Sequence, residues 1–129
     1  VKITTVTATP LRTGTLLVRV ETDEGIYGIG EASGRYAPVL KPFIEQILGP
    51  IIAGRDPRHT VRLWDDMFFG TSRLGSKGFQ TTGIGAIDSA LWDISGKAAG
   101  VPVYELLGGA ARTRIKLYWT VRRPARPSG

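Results

Sequence analysis

Residues 85–109 read GAIDSALWDISGKAAGVPVYELLGG. Together with Ile84 just before the stretch, Ile87, Leu91, Ile94 and Ala98 recur at spacings of three, four, three and four. That is the period of a helix with one apolar face. Gly100 is placed to end this helix as a left-handed cap, and Pro102 blocks its continuation. Asp93 and Lys97, four apart, form a helix-stabilising pair. Val103 to Leu107 predicts one short helical turn that closes at Gly108-Gly109.

Two more helices are expected upstream. Pro38 suits a first helical position, and Val39, Leu40, Phe43, Ile44, Ile47 and Leu48 form an apolar stripe that Gly49-Pro50 should end. Asp56-Pro57 reads as the cap and first residue of a helix running through Val61, Trp64 and Phe68. Gly70 to Gly78 is a polar, glycine-containing loop. Before all of these come three strands. Ile3 to Thr9 is rich in Thr and Val. Leu16, Val18 and Val20 alternate with Leu17, Arg19 and Glu21 at the two-residue period of a sheet with one wetter face. Thr22-Asp23-Glu24-Gly25 is a turn, and Ile26 to Glu31 returns as the third strand. The fold class is α+β: a three-stranded antiparallel meander followed by a helical bundle. At the other end, Arg114 to Thr120 reads as a further strand with Ile115, Leu117 and Trp119 on one side. Residues 121–129 read as a disordered basic tail.

The chain has 129 residues, the size of one ordinary domain. It contains no cysteine, which excludes disulfides, thiolate metal sites and Cys nucleophiles. No apolar run is long enough to span a bilayer, and a cytoplasmic location without membrane contact is expected. The formal charge of +6 argues for nucleic acid only if it lies on the folded surface. It does not: residues 1–111 carry eleven basic and eleven acidic side chains, and the surplus is Arg112, Arg114, Lys116, Arg122, Arg123 and Arg126. A nucleic-acid partner is therefore not expected.

Candidate chemistry within the chain is sparse. Gly28, Gly30 and Gly34 miss the dinucleotide-binding spacing by one place, and no βαβ unit surrounds them. Gly28 and Gly30 are better read as positions where another backbone packs closely on a strand. His59 is the sole histidine and reads as a solvent-facing helix residue. Asp65 and Asp66 diverge on a helix, Asp88 and Asp93 share no clean face, and Glu21, Asp23 and Glu24 surround a turn. No catalytic residue and no metal ligand is expected from these side chains.

The run 85–109 nevertheless resembles the enolase superfamily, in its mandelate racemase/muconate lactonizing enzyme group, at the junction between the N-terminal capping domain and the barrel. The hairpin Val18–Ala32 is similar to the same group's second and third strands. The resemblance spans residues 1 to about 120, roughly the first third of a family member. It implies a capping domain over 1–111, the first strand of a (β/α)-barrel over 112–120, and a chain truncated before the catalytic barrel. It also implies a Mg²⁺-dependent enzyme that abstracts the proton α to a substrate carboxylate, with metal ligands and bases on later barrel strands. This chain alone should then be catalytically silent.

What the resemblance assigns here is a lid. Its first loop corresponds to Pro10–Gly14 and is short; its second corresponds to Ser33–Pro38. Tyr36 looks like a pocket tyrosine, and Arg35 or Arg12 is suited to a sugar-acid carboxylate or hydroxyls, with Ser33 beside them. Polar loops favour an acid-sugar (aldonate or aldarate) dehydratase. A racemase, epimerase or cycloisomerase of the same group, or a non-catalytic binding module, is the alternative. Self-association is expected, because family members are homo-oligomers and an apolar face is left uncovered.

Overall fold

The computed structural model describes residues 1–75 and 77–119. Three strands, β1 (Ile3–Pro10), β2 (Thr15–Thr22) and β3 (Tyr27–Ser33), form an antiparallel sheet in chain order. The alternation in β2 is realised directly: Leu16, Val18 and Val20 are fully buried while Arg19 is exposed. β1 does not alternate cleanly in sequence, and the sheet resolves this with an irregularity between Ile3 and Thr5. The extra residue turns Ile3 and, beyond it, Val6 and Ala8 toward the same side.

The helices are α1 (Ala37–Pro42), α2 (Gly49–Ile52), α3 (Thr60–Gly70), α4 (Phe79–Ala99) and α5 (Val103–Leu106). As expected, α4 ends on Gly100 in the left-handed conformation (φ 68°), and Ile84, Ile87, Leu91 and Ile94 are buried. Ala98, the last residue of the expected stripe, is exposed. α4 lies along β3 because Gly28 and Gly30 have no side chains. A Cβ on Gly28 would stand 1.9 Å from the Ala90 carbonyl oxygen, and one on Gly30 1.8 Å from that of Ala86. The two glycines thus admit a helix backbone against the strand.

Three local expectations are corrected. Gly49-Pro50 does not end the first helix, which passes through a π-helical segment, Phe43–Leu48, and on into α2. The Gly49 N–H bonds to Ile44 O, five residues back, and this wider turn makes room for a proline that an α-helical turn would reject. The rewound helix buries Leu40, Phe43, Ile44 and Leu48 but leaves Val39 and Ile47 exposed. Asp56 does not cap α3. Its carboxylate accepts from the backbone N–H and guanidinium of Arg58, which holds its carboxyl well below the usual range. The helix therefore starts at Thr60 and buries Leu63 and Met67, with Val61 outside and His59 as its exposed cap residue.

The strand expected over Arg114–Thr120 is not formed in its described part. Residues 114–119 carry no ladder, and Ile115, Leu117 and Trp119 are exposed. A strand exists by exchanging backbone hydrogen bonds with a neighbour, and no described segment offers one there. The expected tail over 121–129 lies outside the described residues. Among the described residues no helix is long and apolar enough to cross a membrane.

Both outer strands meet an acid–lysine pair from a helix. On β1, the Ala8 N–H donates to Glu45 Oε1 and the Ala8 carbonyl accepts from Lys41 Nζ. On β3, the Ile29 N–H donates to Asp93 Oδ2 and the Tyr27 carbonyl accepts from Lys97 Nζ. Burial pushes the Glu45 carboxyl up, but the Lys41 hydrogen bond, the Ala8 N–H and the Lys41 charge outweigh it and hold it below its ordinary value. A carboxyl lowered on folding stabilises the fold above its unfolded-state range, and that contribution is lost as the pH falls through the folded value. Glu45→Gln should therefore cost about 1 kcal/mol at neutral pH. Urea unfolding at about pH 7 and about pH 3 should show the gap to wild type closing in acid. An unchanged gap would contradict the pairing.

Candidate functional site

One end of the sheet gathers the β1–β2 hairpin loop and the chain leaving β3. The hairpin loop is tight: the Leu11 N–H donates to Thr15 O at 2.8 Å, and the Gly14 N–H to Leu11 O at 3.1 Å. The second loop is a 3₁₀ turn, Gly34–Tyr36, leading into α1. The two are joined where the Gly34 N–H donates to Gly14 O at 3.0 Å. A Cβ on Gly34 would lie 2.4 Å from that same oxygen, so a glycine is required for the loops to touch. Below the joint, the Thr15 hydroxyl reaches Glu31 Oε1 at 3.3 Å.

This junction joins the two loops on which the sequence-predicted site residues lie. Arg12 stands on the first loop, and Ser33, Arg35 and Tyr36 on or beside the second. All four are exposed, Tyr36 at 55%. Tyr36 lines an apolar cavity of about 380 Å³ that it shares with Val39, Gly78, Phe79 and Thr82. Phe79 is held there edge-on to Phe43, ring centroids 5.2 Å apart. The start of α4 therefore adjoins the second loop, a neighbour the sequence reading missed. The signal was weak: Gly78 and Phe79 sit at the end of a polar loop, and nothing local ties them to Tyr36.

Chemically, this end offers two guanidinium groups, a phenol and a hydroxyl, all hydrogen-bond donors suited to carboxylate and hydroxyl oxygens. The one acid bonded to these loops, among the hydrogen bonds described, is Glu31, which accepts from the Thr15 hydroxyl. Two carboxylates elsewhere have structural work. Asp66 pairs with Arg55 and Arg62, and Asp93 serves β3. Among the described residues no three His, Asp or Glu side chains gather in a set that could hold a metal ion.

The sequence matches the family model of the mandelate racemase/muconate lactonizing enzyme N-terminal domain over residues 2–108. It is 47% identical over 105 residues to a D-galactonate dehydratase family member of Paenibacillus sp. strain JDR-2, covering 79% of this chain and 25% of that protein. It is 44% identical over 120 residues to the D-galactonate dehydratase of Xanthomonas campestris pv. campestris, covering 91% of this chain and 30% of the relative. The structure superposes on the crystal structure of an enolase from Agrobacterium radiobacter, with bound Na and L-malate, at a TM-score of 0.84 and 34% identity. That match covers 92% of this chain and 30% of the other. The chain thus spans between a quarter and a third of the length of these relatives.

Proposed function

The chain belongs to the mandelate racemase/muconate lactonizing enzyme family, as its N-terminal domain, and on that premise we propose that residues 1–111 are the substrate-capping domain of an acid-sugar dehydratase. The observation that supports this reading is the Gly14–Gly34 junction, which joins the loop carrying Arg12 to the loop carrying Arg35 and Tyr36, all three exposed. The relatives named for D-galactonate dehydration favour a sugar acid as substrate. Residues 112–120 are then the first barrel strand, formed when neighbouring barrel strands supply its ladder.

In this role the chain's residues bind and shield. Arg12 and Arg35 pair with substrate carboxylate or hydroxyl oxygens, for which a planar guanidinium is well shaped. Tyr36 donates its phenolic proton to a substrate hydroxyl from beside an apolar wall. Closing such loops excludes water, which strengthens electrostatic interactions with charge that develops on removal of the α-proton. Mg²⁺ does not fit the residues described here, which gather no carboxylate set. In this reading the metal and the base belong to the barrel part of the enzyme, and residues 1–111 bind and shield rather than carry out the chemistry. Exposed Tyr104, Leu107 and Ile115, beyond the end of α4, fit a face that the barrel covers. Without it, the chain should self-associate.

The test is made on the full-length enzyme carrying this domain, with Mg²⁺ and a panel of sugar acids that includes D-galactonate. Arg35→Ala and Tyr36→Phe should each lower kcat/KM by about 10-fold or more, chiefly through KM, as expected for one lost charged or polar contact. Wild-type kinetics in both variants would overturn the lid assignment. Turnover of no sugar acid by the wild type would overturn the substrate class.

A further inference from the structure

The two loops at the lid end are built on one strand. β2 is the central strand, and its first residue, Thr15, is paired with Ser33 of β3. The bond from the Gly34 N–H to Gly14 O, at 3.0 Å, adds one rung beyond that pair. It ties the loop between β1 and β2 to the loop leaving β3 at a level where both have left the sheet. Each loop is also closed on itself. In the first, the Gly14 N–H donates to Leu11 O; in the second, the Ala37 N–H donates to Gly34 O. Gly14 and Gly34 thus each spend one backbone group inside their own loop and one across the joint.

The two glycines are needed for different reasons. Gly14 has φ 87° and nothing within 4 Å of its Cβ position, so a side chain there strains the first loop without crowding the second. A Cβ on Gly34 would stand 2.4 Å from Gly14 O, 2.5 Å from Gly14 C and 2.9 Å from Thr15 N. Those are backbone atoms of the other side, and relief requires the loops to part.

Resting on the reading of this end as a substrate lid, we infer that the two loops act as a single lid rather than as two independent flaps, with Gly14 and Gly34 as its positioning residues. Opening either loop breaks the rung that holds the other. A substrate oxygen held by Arg12 on the first loop therefore lowers the cost of ordering Arg35 and Tyr36 on the second. Coupling of this kind is reciprocal: what loosens one loop loosens the other.

Hydrogen exchange of this chain, read amide by amide, tests the coupling without substrate. Gly34→Ala should speed exchange by about 10-fold at the Leu11 and Gly14 amides, which belong to the other loop. Gly14→Ala should do the same at the Ala37 amide. The amides of Val18 and Val20, buried residues of the central strand, should keep their wild-type rates, which separates loop opening from unfolding. If Gly34→Ala loses protection there too, Gly14→Ala decides. Acceleration confined to the loop that carries the substitution overturns the single lid. In the full-length enzyme, the losses of kcat/KM in Arg12→Ala and Arg35→Ala should combine to about 5-fold less than their product, and should multiply once Gly34→Ala is added. Losses that multiply without Gly34→Ala also overturn it. Cross-loop exchange in a protein whose Arg12 and Arg35 variants turn over like wild type would instead leave the joint standing and remove the substrate lid.

Discussion

Gly30→Val should leave this chain unfolded or nearly so. The added Cβ alone would lie 1.8 Å from the Ala86 carbonyl oxygen and 3.3 Å from the Ala90 N. Those are backbone atoms of α4, so no side chain can swing aside. Relief requires the helix to withdraw from β3, which would loosen the packing of Ile87, Leu91 and Ile94 and break the contacts from Asp93 and Lys97 to the strand. Overpacking commonly costs 1–3 kcal/mol; a clash against a rigid backbone should reach about 3 kcal/mol or more, a large share of a small domain's stability. Urea unfolding followed by far-UV circular dichroism measures it. Gly85→Ala is the control: it lies in the same helix with nothing within 4 Å of its Cβ. There, replacing a mid-helix glycine should gain about 0.5–1 kcal/mol. A wild-type midpoint for Gly30→Val would refute the close approach.

Leu91→Ala is the second large effect expected. Leu91 is fully buried on the face of α4 that meets the core, and its truncation removes apolar contact and leaves a cavity that rigid neighbours on the sheet fill poorly. Such substitutions cost 2–5 kcal/mol, so about 3 kcal/mol is expected. The urea midpoint should fall while the slope stays unchanged. Phe69→Ala, by contrast, trims a larger side chain that is 69% exposed and should shift stability by no more than about 0.5 kcal/mol. If the two variants behaved alike, the assignment of core and surface along the helices would be wrong.

The elements legible in the sequence are those whose signal is local. The stripe from Ile84 to Ala98 and the alternation of Leu16, Val18 and Val20 each repeat at the period of their own backbone; the alternation survives unchanged in the fold, and the stripe holds as far as Ile94 and fails at Ala98. Gly100 and the glycine pair at 28 and 30 were also readable, because only a few geometries require a missing side chain. The failures share another cause. Pro50 reads as a stop by the rules of an α-helix, but the chain changes helix type at Phe43–Leu48, a choice made by packing. Asp56 reads as a cap, but Arg58 two residues on takes its carboxylate first. Residues 114–119 have a strand's pattern but no neighbour to pair with. As for the site, Arg12, Ser33, Arg35 and Tyr36 were named from family likeness, and the joining of their two loops rests on a contact between Gly14 and Gly34 that no periodicity encodes. The place of Phe79 beside Tyr36 depends on which element faces which, and was invisible for the same reason.

The acid–lysine pairs on the outer strands set a timetable for a nascent chain. Its three strands are complete once Ser33 has been made, and Lys41 and Glu45 follow within a dozen residues to close the β1 side. The β3 side waits for Asp93 and Lys97, 48 and 52 residues after Glu45 in the sequence. At ribosomal rates of about 5–20 residues per second, this leaves the Tyr27–Ile29 edge open for roughly 3–10 s during every round of synthesis. An unprotected strand edge is a template for another chain, so neighbouring ribosomes on one message would hold such edges close together. The position of Asp93 and Lys97 late in the longest helix therefore makes the speed of translation, as well as the stability of the finished domain, a determinant of how much of it escapes fibrillar misassembly.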